Sequence, residues 1–340
     1  MDTKVAVVIL NWNGKKLLEE YLPSVVSSIP SYAKVYLADN NSSDESIDYT
    51  QQNFPTIEII RNKKNYGFAE GYNQALQSVE EDYYVLLNSD IECAPNWIEP
   101  IYEKMESDSS IGICQPKILD YKNKTHFEYA GAAGGFIDVF GYPFCRGRLF
   151  NHIEKDEQQY KEDLKIFWAT GACLFIRKSL FKELNGFDES FFAHMEEIDL
   201  CWRAQRTGAT VYCVPTSTVY HLGGGTLNKI NPKKTYLNFR NNLVMLLKNG
   251  HTRYFLIRLV LKLLLDGMAG IKFLLEGSPK HTWSVIRAHL YVYLKLRTIL
   301  KKRRALRLKY GFLSIDTIYY KSIVASYYLL AKKTFNSLKF

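Results

Sequence analysis

The 340-residue sequence lacks the short motifs that mark the commonest nucleotide and metal enzymes. Neither the GxGxxG pattern of dinucleotide-binding folds nor the GxxxxGK[ST] pattern of P-loop NTPases occurs, which argues against an oxidoreductase or an NTPase. HExxH is absent, and His194-Met195-Glu196 is not followed by the PCxxC of zinc deaminases. The sequence therefore does not support a metalloprotease or a deaminase.

Closely spaced cysteine pairs are also missing. No CxxC occurs, although 47% of the residues are apolar and 14% are aromatic, which is enough for a sizeable core without disulfides. We expect reduced, partly buried thiols in a cytosolic protein rather than disulfides or a zinc site. The six cysteines are Cys93, Cys114, Cys145, Cys173, Cys201 and Cys213.

Acidic residues are scarce in one part of the chain. Residues 251–340 contain 18 Lys and Arg but 3 Asp and Glu, whereas residues 1–250 contain 26 Lys and Arg and 32 Asp and Glu. The apolar stretch over residues 253–275 has no uncharged run of 18 residues, which argues against a transmembrane helix. We expect a slightly acidic body, residues 1–250, followed by a basic helical region, residues 251–340.

Short apolar runs alternate with helical stretches over the first 90 residues. Val5–Leu10 is too short for a signal-peptide core and is typical of a buried strand. The alternation predicts βαβ units and a mostly parallel sheet. We expect strands at 5–10, 34–38, 56–61 and 83–87 with helices at 15–28, 44–53 and 67–80, and later strands at 166–177, 211–214 and 218–221.

Each of the first four predicted strands ends in polar residues. In parallel sheets, ligands bind beyond the carboxyl ends of the strands. One polar strand end is an ordinary turn, but four together favour a ligand-binding rim. The segments are Asn11–Gly14, Asp39–Ser42, Arg61-Asn62 and Asn88–Asp90.

Several carboxylates lie within an apolar and aromatic frame over residues 186–203, which we call the acidic segment. Buried carboxylates are costly unless they are paired or do chemistry, so acid–base catalysis is a reasonable hypothesis for them. Two further residues are candidate metal ligands. Asp90 follows the fourth strand, and His221 precedes the glycine run Gly223-Gly224-Gly225.

Taken together, these segments resemble the family 2 glycosyltransferases of GT-A fold, and among them the rhamnosyltransferase-like subgroup. The resemblance covers about residues 3–250, and its motifs occur in the order of the family. It is carried by Val7–Gly14, Ala38–Asp44, Asn65–Asn73, Leu86–Asp90, Thr170–Ala172 with Arg177, the acidic segment and His221–Gly225.

The resemblance implies a fold and an activity. The fold would be α/β, with a mostly parallel nucleotide-sugar-binding sheet flanked by helices and followed by a C-terminal helical extension. The enzyme would be an inverting, metal-dependent glycosyltransferase of hexosyl or rhamnosyl type, acting in cell-surface polysaccharide or glycan assembly. It would move a sugar from a UDP- or dTDP-sugar to a hydroxyl of a carbohydrate or lipid-linked acceptor. The alternative is a non-catalytic sugar-nucleotide-binding or scaffold protein that retains the fold.

The resemblance also implies residue roles. Glu197 would be the catalytic base, and Asp90 and His221 would hold Mg²⁺ or Mn²⁺ on the donor diphosphate. The residues that would bind the nucleotide are Asn11, Trp12, Asp39, Asn65, Gly67, Asn73 and Ser89.

The chain departs from the family pattern at two positions. Asn88 replaces the first Asp of the DxD motif, so metal binding would depend on Asp90, His221 and the phosphates. Glu197 stands where the pattern more often has Asp, which leaves Glu196 and Asp199 as alternative bases. Residues 196 and 199 share one helix face and residue 197 points elsewhere, so one of the two faces would look into the cleft.

The basic C-terminal region has three interpretations. An apolar helix over residues 253–275 with a narrow stripe of Arg258, Lys262 and Asp266 can dock on the body, mediate a homo-oligomer or lie on a membrane. Basic residues alternate with aromatic and aliphatic ones over 291–309, which suits anionic lipid. No nucleic-acid-binding motif accompanies them, so we expect no nucleic-acid partner. We expect a cytoplasmic protein held peripherally on the inner face of the cell membrane.

Overall fold

The computed structural model describes residues 3–223, 231–250, 254–311 and 313–340. Its first part follows the predicted alternation of strands and helices. Gly224, Gly225 and Thr226 of the glycine run lie outside the described residues. The elements up to the fourth strand are β1 (Val5–Asn11), α1 (Lys15–Ser27), β2 (Ala33–Asp39), α2 (Ser46–Asn53), β3 (Glu58–Arg61), α3 (Ala69–Ala75) and β4 (Tyr83–Asn88).

Strands β4, β1, β2 and β3 pair in parallel in that order and form one half of the main sheet. Side chains of β1 alternate between two cores: Val5, Val7 and Ile9 pack on one face, and Ala6 and Val8 pack on the other. This alternation follows from the two-residue period of a strand, and helices cover both faces. The predicted α/β class is confirmed, with a parallel sheet over the first four strands.

The other half of the main sheet has mixed pairing. Its order continues from β4 through β12, β6 and β13 to β11, and β5 pairs with β13. β12 is antiparallel to both of its neighbours, whereas β13 is parallel to β6. These elements are β5 (Ile91–Cys93), α4 (Glu99–Ser107), β6 (Ile111–Asp120), β11 (Leu164–Lys165), β12 (Cys173–Arg177) and β13 (Thr210–His221).

A second, five-stranded sheet covers one side of the body, and four of its strands lie between residues 135 and 153. Its order is β10-β9-β8-β7-β14, and its last strand comes from the C-terminal end of the chain. Phe335 and Phe340 pack on Phe136 and Phe144 of this sheet, so residues 313–340 return to the body. The strands are β7 (Gly135–Asp138), β8 (Pro143–Cys145), β9 (Arg148–Leu149), β10 (His152–Ile153) and β14 (Ile318–Tyr319).

The remaining helices include the predicted C-terminal extension. They are α5 (Lys178–Glu183), α6 (Glu196–Arg206), α7 (Pro232–Asn249), α8 (Phe255–Leu275), α9 (Pro279–Leu294), α10 (Leu296–Tyr310) and α11 (Ile323–Tyr328). α9 packs on both α7 and α8, and α10 packs on α7.

The structure corrects three element predictions. The strand predicted over 166–177 is wrong in its first half, because Trp168 bridges to Gly135 of the second sheet and only Cys173–Arg177 join the main sheet. The two strands predicted at 211–214 and 218–221 are one strand, β13, with an irregularity between Val214 and Thr218. The helix predicted over 67–80 is shorter, with α3 followed by a 3-10 turn.

Candidate active site

The carboxyl ends of the parallel strands form one continuous polar rim, as the sequence predicted. Asn11 at the end of β1 is in register with Asp39 at the end of β2, and Asp39 is in register with Arg61 of β3. On the other side of β1, Leu10 is in register with Asn88 of β4. Four strands therefore place their polar termini side by side.

One end of the rim is a buried hydrogen-bond network around Asn11 and Asp39, which are 0% and 2% exposed. The Nδ2 group of Asn11 lies 3.3 Å from Asp39 Oδ1, 3.1 Å from Ser42 Oγ and 2.9 Å from Ser46 Oγ. Asp39 Oδ2 accepts from the Ser42 N–H at 3.0 Å. The network fixes the orientation of the Asp39 carboxylate.

The loop after β1 passes very close to this network. A Cβ atom on Gly14 would lie 2.3 Å from Asn11 Oδ1, so the loop needs glycine there. That oxygen is buried and has no hydrogen-bond partner. Trp12 is 49% exposed beside it, and the Ser89 hydroxyl lies 3.8 Å from the same Cβ position. Asn11, Asp39 and Ser89, which were predicted to bind the nucleotide, are therefore neighbours although they come from three different strand ends.

The predicted residues Asn65, Gly67 and Asn73 connect the rim to the acidic segment. Asn65 Oδ1 accepts from the Gly67 N–H at 2.8 Å, and a Cβ on Gly67 would lie 2.7 Å from the Phe192 ring. Asn73 bonds both backbone groups of Phe187, at 2.9 Å each. Asn73 thus anchors the start of the acidic segment, and Gly67 permits close contact with its middle.

Asp90 and His221 meet at the end of the rim, as predicted. β13 pairs with β5, and this pairing brings His221 Nε2 to 3.2 Å from Asp90 Oδ1. His221 Nδ1 lies 3.5 Å from Glu128 Oε1. Burial lowers the pKa of His221, but the Asp90 and Glu128 carboxylates outweigh it and raise that pKa to about 10. The two carboxylates favour positive charge at this locus, which is carried by a proton on the His221 ring or by a cation that replaces that proton.

A divalent cation fits this locus only with help from a ligand. Among the residues that the structure describes, no three His, Cys, Asp or Glu side chains converge as a complete metal site. Asp90 and His221 provide one carboxylate oxygen and one imidazole nitrogen that face each other. Cations such as Mg²⁺ are commonly held by one or two protein carboxylates together with substrate phosphates. Two protein ligands therefore fit a cation that is bound together with the donor.

The carboxylates of the acidic segment have contrasting surroundings. Asp199 is fully buried and bonded to Arg203 and Lys248 at 2.8 Å each and to Asn249 at 2.7 Å. Burial would raise the pKa of Asp199, but the Lys248 and Arg203 charges outweigh it and lower that pKa. Asp199 is thus placed in a buried ionic network that helps to hold α6 against α7.

Glu196 and Glu197 each have a buried carboxylate oxygen without a hydrogen-bond partner. Glu196 is 4% exposed, and burial together with the charges of Glu197 and Asp199 raises its pKa well above the usual range. Glu197 is half-buried, and burial raises its pKa to about 7 although backbone N–H groups oppose the shift. Glu197 is therefore the more accessible of the two and the more readily ionised.

The backbone just before these glutamates is strained and clamped. Phe192, His194 and Met195 all have positive φ, at 64°, 70° and 72°, a conformation that costs side-chain-bearing residues about 1–3 kcal/mol each. Asn241 of α7 donates from Nδ2 to the carbonyls of residues 191, 193 and 194, at 2.7–3.0 Å. The α7 clamp thus sets the position of the α6 N-terminus.

Sequence reasoning missed Glu128, Arg148 and Asn241. Arg148 is 7% exposed, with its guanidinium carbon 4.3 Å from the Tyr129 ring centroid, and its Nε has no hydrogen-bond partner. Its Nη2 lies 3.5 Å from Cys145 Sγ. Burial raises the pKa of Cys145, and Glu128 and Glu197 add to the increase, so both carboxylates lie within electrostatic reach of this thiol. For Arg148, the signal available in the sequence was a basic residue among the aromatic residues of the 140–150 stretch.

Comparison with known proteins identifies the family. The profile of Glycosyl transferase family 2 matches residues 6–185, more than half of the chain. The chain belongs to this family. It is therefore a nucleotide-sugar-dependent glycosyltransferase, and the alternative of a non-catalytic binding or scaffold protein is not favoured.

Two curated relatives are rhamnosyltransferases. This glycosyltransferase is 24% identical over 329 residues to the N-acetylglucosaminyl-diphospho-decaprenol L-rhamnosyltransferase of Mycobacterium tuberculosis, covering 92% of this chain and 99% of that protein. It is 25% identical over 228 residues to the rhamnosyltransferase WbbL of Escherichia coli, covering 64% and 83%. The rhamnosyltransferase-like resemblance is confirmed.

A solved structure supports the GT-A fold. The mannosyltransferase PcManGT of Pyrobaculum calidifontis, in complex with GDP-Man and Mn²⁺, matches with a TM-score of 0.52 at 12% identity. The match covers 91% of this glycosyltransferase and 81% of that chain. At this identity the likeness concerns the fold alone.

Proposed function

We propose that this enzyme is an inverting, metal-dependent glycosyltransferase that moves rhamnose from a UDP- or dTDP-linked donor to a lipid-linked saccharide in cell-surface glycan assembly. The observation that carries the proposal is the pairing of two features. Asp90 and His221 converge at the rim. Glu197, at the start of α6, keeps a buried carboxylate oxygen without a partner and lies within electrostatic reach of Cys145, as does Glu128 beside His221. The names of both rhamnosyltransferase relatives support the sugar, and the name of the Mycobacterium tuberculosis relative supports the lipid-linked acceptor.

The donor nucleotide would lie along the rim. The Asp39 carboxylate, held by Asn11 and Ser42, would accept a hydrogen bond from the uracil or thymine ring. Trp12 would line the base pocket with its exposed ring. Ser89, Asn65 and Gly67 would complete the pocket, with Asn73 acting through its bonds to Phe187.

The diphosphate would lie at Asp90 and His221, which would hold the Mg²⁺ or Mn²⁺ ion with it. A bound divalent cation would neutralise the charge that develops on the leaving nucleoside diphosphate. The Asp90 oxygen and the His221 ring nitrogen are held in place by strand pairing between β5 and β13, so they require little reorganisation. Asn88 leaves the DxD motif at this end of the rim with one carboxylate where the family pattern has two.

Glu197 would act as the general base. It would take the proton of the acceptor hydroxyl as that oxygen attacks the anomeric carbon and the bond to the diphosphate breaks. A single displacement of this kind, with an oxocarbenium-like transition state, inverts the anomeric centre. Glu196 is the weaker candidate for this role, because it is 4% exposed and burial with the charges of Glu197 and Asp199 raises its pKa, which favours the protonated form.

Arg148 would contact the acceptor. A buried guanidinium with an unpaired Nε is costly unless an anion reaches it. Planar guanidinium groups suit phosphate oxygens, and Cys145 links Arg148 to the surroundings of Glu197. We propose that Arg148 binds the diphosphate of a lipid-linked acceptor.

A lipid-linked acceptor would place the enzyme at a membrane. We propose that residues 1–250 form the catalytic domain and residues 251–340 an attachment region on the inner face of the cell membrane, with residues 313–340 packed back on the second sheet. The basic α10 helix is joined to the acidic segment, since Lys302 lies 2.6 Å from Asp188. Attachment and catalysis would thus be structurally linked.

A donor and acceptor screen tests the function. Purified enzyme with Mn²⁺ should release nucleotide from dTDP-rhamnose or a UDP-sugar faster than from GDP-mannose. An N-acetylglucosaminyl diphospholipid should increase release, whereas the same sugar without the diphosphate should not, because Arg148 would lack its anion. Absence of release with every donor, or equal stimulation by both acceptors, would contradict the proposal.

The pH dependence of turnover tests the base. Burial raises the pKa of Glu197 to about 7, and only the deprotonated form accepts a proton. We therefore expect kcat/KM to rise with pH through about 7 and to fall tenfold per unit on the acid side. Nucleotide release measured across that range checks this. An acid limb near the ordinary carboxylate pKa of about 4.3 would show that Glu197 is solvated or not the base.

A further inference from the structure

Helix α8 turns its polar stripe towards the protein. Lys262 and Asp266 are 1% and 0% exposed, and their charged groups lie 2.5 Å apart. Tyr142 donates to Asp266 at 3.0 Å, and Lys262 Nζ lies 3.9 Å from the Tyr142 ring centroid. Gly270, one turn further along the helix, is also buried. The polar side of α8, which in an ordinary surface helix faces water, therefore packs against the rest of the protein.

The outward side of α8 is apolar. Every exposed position from Leu256 to Ile271 carries an apolar side chain or glycine, in contrast to the polar outer face of an ordinary surface helix. These positions recur every three or four residues and so form one stripe: Leu256, Ile257, Val260, Leu261, Leu264, Gly267, Met268 and Ile271. Leu256, Leu264 and Met268 are 74%, 61% and 64% exposed. Exposed apolar areas of this extent mark interaction surfaces.

Helix α9 packs beside α8 and adds further exposed apolar side chains. Trp283 and Tyr293 are 57% and 52% exposed, and Leu294 is 83% exposed. Tryptophan and tyrosine are enriched where one end of a side chain is apolar and the other is wet, as at the level of lipid headgroups. We call the outward stripe of α8 and the exposed apolar residues of α9 the α8–α9 face.

We propose that the α8–α9 face lies in the interface of an anionic bilayer. No helix in the described part of the chain is long and apolar enough to cross a membrane. A helix with a continuous apolar side and neighbouring basic residues instead lies in the plane of the interface. This face is the surface through which the proposed attachment region would contact the membrane. Its exposure and charge do not depend on which sugar the enzyme transfers.

Charge favours lipid over a second copy of the chain. Residues 255–311 contain 13 Lys and Arg and 2 Asp and Glu. The helices of the face and the start of α10 carry exposed basic residues, which are Lys272, Lys280, Arg287, Lys295 and Arg297. Two copies joined through this face would bring like charges together, which is unfavourable. An anionic leaflet instead attracts each such residue, by about 1 kcal/mol near the surface.

Vesicle flotation of the full chain tests the proposal. Wild-type enzyme should float with phosphatidylcholine–phosphatidylglycerol vesicles, and high salt should weaken binding without abolishing it, because the apolar part is not screened. Leu264→Glu with Met268→Glu should reduce partitioning by about a hundredfold, because two inserted apolar side chains become charged. Leu329→Glu with Leu330→Glu makes the same charge change at positions 80% and 63% exposed, outside the face, and should bind like wild type.

Two readouts separate the outcomes. Hydrolysis of a water-soluble donor by the double variant should match wild type, which shows that the variant is folded. The proposal is overturned if wild type ignores anionic vesicles, if the α8 variant binds like wild type, or if that variant changes only the oligomeric state in solution. If vesicle binding follows the expected pattern but no donor is hydrolysed by any form, the proposed function fails and the membrane face stands.

Discussion

Replacing Glu197 by Gln should reduce kcat by about 10²–10⁴-fold, the usual contribution of a general base, and leave the affinity for the donor nucleotide unchanged. Glutamine keeps the shape of the side chain but cannot take the proton of the acceptor hydroxyl. The donor network around Asn11 and Asp39 is formed by other strands, so binding should not depend on residue 197. Nucleotide affinity by calorimetry and turnover by nucleotide release check both parts.

Two matched variants make this test specific. Glu196→Gln should change kcat by a few-fold at most, because Glu196 is 4% exposed and burial with neighbouring charge raises its pKa, which disfavours its action as a base. Glu189→Gln alters an exposed carboxylate of the same acidic segment and should behave like wild type. Full activity of the residue-197 variant together with loss of activity in the residue-196 variant would reassign the base.

The rim could be predicted from the sequence because its signals are local. Apolar runs that end in Asn or Asp mark strands and their carboxyl ends, and parallel pairing places such ends side by side. Asn11 and Asp39 are 28 residues apart in sequence but in register in the sheet. The meeting of Asp90 and His221, 131 residues apart, came from the family resemblance and not from spacing.

Other parts of the site depend on contacts that no local pattern records. Glu128 lies before the second sheet, and tertiary packing brings its carboxylate to 3.5 Å from His221 Nδ1. Arg148 lies in β9, where hairpin pairing sets it beside Cys145, but its burial results from how the second sheet packs. The strain at residues 192–195 is held by Asn241, nearly 50 residues away. Such roles depend on tertiary structure alone.

The orientation of α8 shows the same limit. The sequence predicted a narrow polar stripe but could not tell which partner it would face. The structure directs Lys262 and Asp266 to Tyr142, in the turn between β7 and β8. An amphipathic pattern defines two faces of a helix, and packing decides which of them remains exposed.

Replacing Asp90 by Asn should reduce transfer by at least about 10²-fold, because a divalent cation contributes several kcal/mol to charge neutralisation on the leaving group. The loss should be large since Asn88 already occupies the first position of the family's metal motif, and the proposed metal site has two protein ligands, Asp90 and His221. A chelator should reduce the wild-type enzyme to the level of the variant. Added Mn²⁺ should restore the wild type but not the variant at the same concentration.

Glu92→Gln is the matched control for this prediction. Glu92 lies two residues further along in β5, and its carboxylate lies 2.5 Å from Lys124 Nζ instead of facing His221. The substitution removes the same charge from the same edge of the sheet, so a general loss of negative potential would affect both variants alike. If the metal is held where Asp90 and His221 converge, only the residue-90 variant should lose its response to Mn²⁺. Equal losses in the two variants, or a wild-type enzyme indifferent to the chelator, would mean that the donor is bound without a cation at this edge.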